Sequence, residues 1–281
     1  MVSPDKNERT MVMFIFLGFS EYPELQVPLF LLFLKIYAVS VVESMGMVVV
    51  IMSIQNSTAM YFFLNHSSFL NFCFSIVVKP KLLENIVVQD RSISINVCVT
   101  QFSIGFTFLM TEMVILEVMA YDYFVDICYP LLYTVSIYPK LCSMLVIVAF
   151  TRGIISSIVL SYSIPVLSFC ETKIINNFQC EYSFFLSASC SDKQFIEIIL
   201  FIFANLNAFC TLIIVLISYL FIFVIILKID SESGIYKAFS TCTYHLMAVT
   251  IYYGTTIFLY FIPNSKTSLI MVKVGSVFIL L

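Results

Sequence analysis

The chain has 281 residues, of which 61% are hydrophobic and 11% charged, and its formal net charge is −3. Soluble domains carry about 25% charged residues, so too little polar surface is available here to enclose a water-soluble core of this size. The small net charge and the lack of any long Lys/Arg run argue against a nucleic-acid partner, and the lipid bilayer is the solvent that the composition fits.

The chain opens on a polar stretch, MVSPDKNERT, followed by a short apolar run at 11–19 that lacks a clean small-residue cleavage site. No removable leader is expected, and the first true span does the targeting. A crossing helix needs about 20 apolar residues. Stretches 28–54, 60–78, 97–127, 141–167, 195–227 and 238–262 meet that requirement. A last apolar run, 268–281, holds about 14 residues and is short for a full crossing, so the count is six spans and a fragment. Lys35, Glu43, Glu117 and Arg152 fall inside spans. A charge at membrane depth costs about 2.5–3.5 kcal/mol on insertion scales, so each of these needs a partner or water. Connections are short except 168–193, which is polar and holds three cysteines. A single domain, 1–281, is expected, with 1–26 as its leading segment.

Lys and Arg in short loops set orientation. With the N-terminus outside, the inner loops carry only Lys140, Lys228 and Lys237, while the outer segments carry more. Charge alone therefore favours the opposite topology. The cysteines favour the N-outside arrangement: Cys98, Cys170, Cys180 and Cys190 then share the oxidising side, where disulfides persist. Four cysteines allow three connectivities, and the alternative that all nine cysteines are small buried hydrophobes stays open. Nothing points to an enzyme, a metal or a cofactor. The two histidines, His66 and His245, have no metal-ligand spacing, and no Gly-rich phosphate loop is present.

An ordered set of motifs carries a resemblance. The segment 119–134 reads MAYDYFVDICYPLLYT, against MAYDRYVAICxPLxYT in the olfactory receptor family of rhodopsin-like G-protein-coupled receptors. LGFSEYPELQ at 17–26, MYFFL at 60–64, PKLLENI at 80–86, SCSD at 189–192, SY at 218–219, KAFSTCTYHL at 237–246 and YYGT at 252–255 match in order. The chain resembles that family over nearly its whole length.

The resemblance implies an all-α membrane protein: a seven-helix rhodopsin-like bundle with an extracellular N-terminus in the plasma membrane, its seventh helix incomplete at 268–281. It implies disulfides Cys98–Cys180 and Cys170–Cys190, a small volatile odorant as ligand and a heterotrimeric stimulatory G protein as partner. Matching positions place Gly105, Phe106, Leu109 and Met110 of the third helix, Phe203 and Asn207 of the fifth, and Tyr253, Thr256, Ile257 and Tyr260 of the sixth around the ligand. Asn207 is the expected polar anchor, because an unpaired amide in an apolar bundle is costly.

The coupling motif departs from the family. Asp122 is kept, but Tyr123 stands where the family has Arg, and Phe124 where it has Tyr. Tyr supplies neither a permanent charge nor a planar donor fork, so Asp122 loses its usual neighbour and weakened coupling is expected. Asp126 adds a like charge one turn on. Ser44 and Asn71 replace the Asn and Asp of the first and second helices, Glu43 precedes Ser44 where the family has Gly, and the Asn-Pro segment that continues the family's seventh helix does not follow Leu281. Two other readings remain: a non-signalling receptor remnant that serves at most as a membrane partner, and a polytopic transporter marked by its intramembrane charges.

Overall fold

The computed structural model describes residues 13–16, 23–53, 58–87, 92–164, 174–175, 180, 185, 194–227 and 232–261. Of these, the side chains at 13–16, 23, 25, 134–135, 174–175, 194–201, 203–205, 232–239, 241 and 256–261 lie outside the description. Six long helices follow in order: α1 (Pro23–Ser53), α2 (Ala59–Val87), α3 (Ile95–Cys128), α4 (Pro139–Ser163), α5 (Gln194–Ile226) and α6 (Glu232–Phe261). A one-turn helix, Tyr133–Ser136, sits between α3 and α4. Among the described residues, α1 to α5 contain apolar windows long enough to cross a bilayer. The seventh span expected at 268–281 lies outside the described residues, as do Cys170 and Cys190.

The helices run past the apolar windows where polar caps allow it. α2 was expected over 60–78 but continues to Val87, through Pro80, carrying Lys79, Lys81 and Glu84. Hydropathy ends where the hydrocarbon ends, whereas a helix can continue into water. Lys81 there pairs with Glu84 at 3.0 Å, and Lys79 turns inward to donate to Ser40 Oγ of α1 at 2.7 Å. Ser94 caps α3, its hydroxyl accepting from the Val97 backbone N–H at 3.4 Å, which satisfies one of the orphan donors of a helix start. At the far end the Tyr129 N–H closes on the Val125 carbonyl, and Pro130 prevents continuation. Pro139 occupies the first turn of α4, where its missing N–H costs nothing.

The apolar run expected at 11–19 includes a strand. β1 (Met13–Phe16) pairs antiparallel with β2 (Ser92–Ser94) and parallel with β3 (Ile174–Ile175). The leading segment, the α2–α3 connection and the long loop thus meet at one end of the bundle. At the same end Cys98 and Cys180 form a disulfide with Cα atoms 5.4 Å apart. Phe185 of that loop is fully buried, edge-on to Phe102 of α3 at 5.9 Å.

Among the five apolar windows, that of α3 is the most enclosed and that of α1 the least. Between α3 and α4 the contact is close and polar. Ser157 donates to the Ser103 carbonyl at 2.7 Å, and the Ser103 and Ser161 hydroxyls meet at 2.6 Å. Gly153 faces Thr107 and Thr111, and the place where its Cβ would lie is 2.8 Å from the Thr107 carbonyl oxygen. Because lipid is as apolar as a side chain, small residues and hydroxyl bonds, not hydrophobic burial, hold such helices together. On the other side, Phe33 of α1 packs with Val78, Leu82, Leu83 and Ile86 of α2.

Candidate ligand cavity and coupling face

A cavity of about 670 Å³ opens between α2, α3 and α6, touched by α5 at one point. Phe106, Leu109 and Met110 line it from α3, Phe74 and Asn71 from α2, and Ala208 from α5. α6 contributes Ile251, Tyr252 and Thr255. A mostly apolar enclosure with a few polar groups is what a small-molecule site requires. Its polar side includes Glu112, which accepts from Ser67 of α2 at 2.5 Å and whose second carboxylate oxygen has no hydrogen bond among the described residues.

Three of the expected lining residues, Phe106, Leu109 and Met110, are therefore together. Gly105 is not among them; it packs on α2, with the place of its Cβ 3.4 Å from Val78. Asn207 is elsewhere too: its side-chain oxygen accepts from Arg152 of α4 at 3.2 Å, so the amide expected to anchor the ligand already has a protein partner, and Ala208 beside it faces the cavity. Tyr253 is buried next to Thr211 of α5. Its neighbour Tyr252 lines the cavity and donates to the Leu109 carbonyl at 2.7 Å. Two consecutive tyrosines lie about 100° apart on a helix, and the sequence alone does not say which one turns inward. The side chains of Phe203, Thr256, Ile257 and Tyr260 lie outside the described residues.

At the other end of α3, Asp122 is buried at 3% exposure. It is not left without a partner, as the missing Arg had suggested: Tyr133, in the turn after α3, donates its phenol to Asp122 Oδ1 at 3.1 Å. Burial, and then the nearby Asp122 charge, push the Tyr133 phenol well above its ordinary range, so it remains a donor. Asp126 is exposed. Tyr123 is buried and sets its ring edge-on to His245 of α6, with centroids 5.3 Å apart. His245 Nδ1 in turn shares a 2.6 Å hydrogen bond with the Tyr219 hydroxyl of α5. Phe124 packs against Tyr129 and Phe221. An aromatic cluster thus joins α3, α5 and α6 at the position the Arg would occupy.

The remaining intramembrane charges divide. Glu117 and Arg152 form an ion pair at 3.6 Å. Lys35 and Glu43 are exposed on the outward face of α1 and make no ion pair among the described residues.

The profile of the olfactory receptor family matches residues 33–280. The chain belongs to the olfactory receptor family. Olfactory receptor 5D13 of Homo sapiens is 50% identical over 279 residues, 99% of this chain and 89% of the relative. Olfactory receptor 1165 of Mus musculus is 50% identical over 272 residues, covering 96% and 86%. Olfactory receptor 5D18 of Homo sapiens is 52% identical over 266 residues, covering 94% and 85%. This olfactory receptor family member is a multi-pass membrane protein of the seven-helix class, and its Cys98–Cys180 bond is the one that the family resemblance implied.

Proposed function

We propose that the chain is a plasma-membrane receptor with its N-terminus outside, which holds a small volatile odorant between α2, α3 and α6 and signals to a stimulatory G protein. The observation that carries the ligand part is the cavity of about 670 Å³ with Phe106, Leu109, Met110, Tyr252 and Ala208 in its wall. That volume lies in the range of ordinary ligand pockets, and apolar walls with isolated polar groups suit an odorant better than an ion or a sugar. Orientation is supported by the Cys98–Cys180 disulfide, which needs an oxidising compartment. β1 lies in one sheet with β2, just before Cys98, and with β3, so the leading segment is on the same side. That geometry outweighs the Lys/Arg count of the loops.

Coupling is reduced in this reading. Asp122 is satisfied by Tyr133, and Tyr123 is committed to His245, so no guanidinium is present at this point of α3 to contact a partner. The test of the ligand site avoids coupling altogether. Purified chain in lipid nanodiscs is heated with a panel of small volatile aliphatic and aromatic compounds, alongside Ala208→Phe, which fills the wall of the cavity. At least one compound should raise the unfolding midpoint of the wild type and leave the variant unmoved. No shift with any compound, or equal shifts in both proteins, would remove the cavity from the proposal.

A further inference from the structure

Arg152 is the single cation within the hydrophobic length of α3, α4 and α5: α3 and α5 contain no Lys or Arg, and Lys140 sits in the first turn of α4. Facing it is Glu117 of α3, with its Oε2 3.6 Å from Arg152 Nη1. Arg152 Nη2 donates to Asn207 Oδ1 of α5 at 3.2 Å. A carboxylate, a guanidinium and an amide thereby link three helices in one row. The neighbouring acid, Glu112, is turned to Ser67 of α2 and is not part of it. Glu117 makes no hydrogen bond through Oε2 among the described residues, so Arg152 is the cation that compensates its charge. Asp122 and Asp126 lie further along α3, Asp122 bonded to Tyr133 and Asp126 exposed.

We infer that Glu117 and Arg152 are a mutually dependent pair which, with Asn207, clasps α3, α4 and α5 to one another inside the membrane. Either charge alone is a liability for insertion and packing; together they cancel, and the planar guanidinium has donors left for the amide of the third helix. Breaking such a pair on one side leaves an uncompensated buried charge, whereas removing both members leaves none. That asymmetry separates a pair from two independent interfacial charges.

The experiment compares Glu117→Leu, Arg152→Leu and the double variant in the full chain, with two readouts: the fraction reaching the cell surface and the thermal midpoint of detergent-extracted protein. Each single substitution should lower surface fraction several-fold and depress the midpoint. The double variant should recover to near the wild type in both. A double variant no better than the worse single, or singles that behave like the wild type, would overturn the pair.

Discussion

Gly153→Ala is a demanding test of how α3 and α4 meet. The added Cβ would lie 2.8 Å from the Thr107 carbonyl oxygen and against the Thr111 hydroxyl. Rotating Thr111 away does not solve the problem, because that hydroxyl is bonded to the Thr107 carbonyl at 2.8 Å and the carbonyl itself is backbone. α4 must retreat, and restoring an ordinary 3.4 Å contact needs 3.4 − 2.8 = 0.6 Å. The same retreat stretches the Ser157–Ser103 and Ser103–Ser161 bonds, now 2.7 and 2.6 Å, past 3 Å. Overpacking of this kind costs about 1–3 kcal/mol, and interhelical hydrogen bonds in membranes are worth about 0.6 kcal/mol each. A loss of about 2–4 kcal/mol follows. Equilibrium unfolding in mixed micelles, titrated with a denaturing detergent, measures it. Gly46→Ala is the internal control, since nothing lies within 4 Å of its added methyl group, and inside α1 it should leave stability unchanged or raise it by up to about 1 kcal/mol. A Gly153→Ala protein as stable as Gly46→Ala would refute the close α3–α4 contact.

Tyr133→Phe removes the hydrogen bond to Asp122 and leaves a buried carboxylate short of a partner, at a cost of about 1–3 kcal/mol. Because the Tyr133 phenol is held above its ordinary value, the folded state prefers it protonated. Its contribution is complete below the unfolded phenol's pKa of about 10 and falls as pH rises beyond it, so the difference in midpoint between wild type and Tyr133→Phe should shrink above about pH 10. Cys98→Ser opens a crosslink spanning 82 residues, worth about 4.5 kcal/mol by loop entropy. It should abolish surface expression, and Cys180→Ser should do the same without adding to it in the double variant.

Much of the architecture was legible because long apolar runs and punctuating prolines speak directly about helices in lipid. α3, expected at 97–127, is Ile95–Cys128, and α5, expected at 195–227, is Gln194–Ile226. α6, expected from residue 238, begins at Glu232, since its charged first turns belong to water and leave no hydropathy signal. β1 was hidden for another reason: four residues, even at the centre of a small three-stranded sheet, look like any short apolar run. The site was half legible. The turn order of α3 brings Phe106, Leu109 and Met110 to one wall, but rotation about the helix axes decided Tyr252 over Tyr253 and Ala208 over Asn207. The partner of Asp122 was invisible for want of any rule placing Tyr133, eleven residues on, back against α3. Glu117 and Arg152 could have been paired in advance: an acid and a lone cation at comparable depth on consecutive long helices are a signal in themselves.

The measurement that bears most directly on the account is cAMP in cells supplied with a stimulatory G protein, comparing wild type with Tyr123→Arg at matched surface levels, using a compound that stabilises the purified chain. Tyr123→Arg returns a guanidinium beside Asp122 and dissolves the contact with His245. The account predicts little or no cAMP from the wild type and a clear ligand-dependent rise from Tyr123→Arg. A strong response from the wild type, with no gain in the variant, would contradict it.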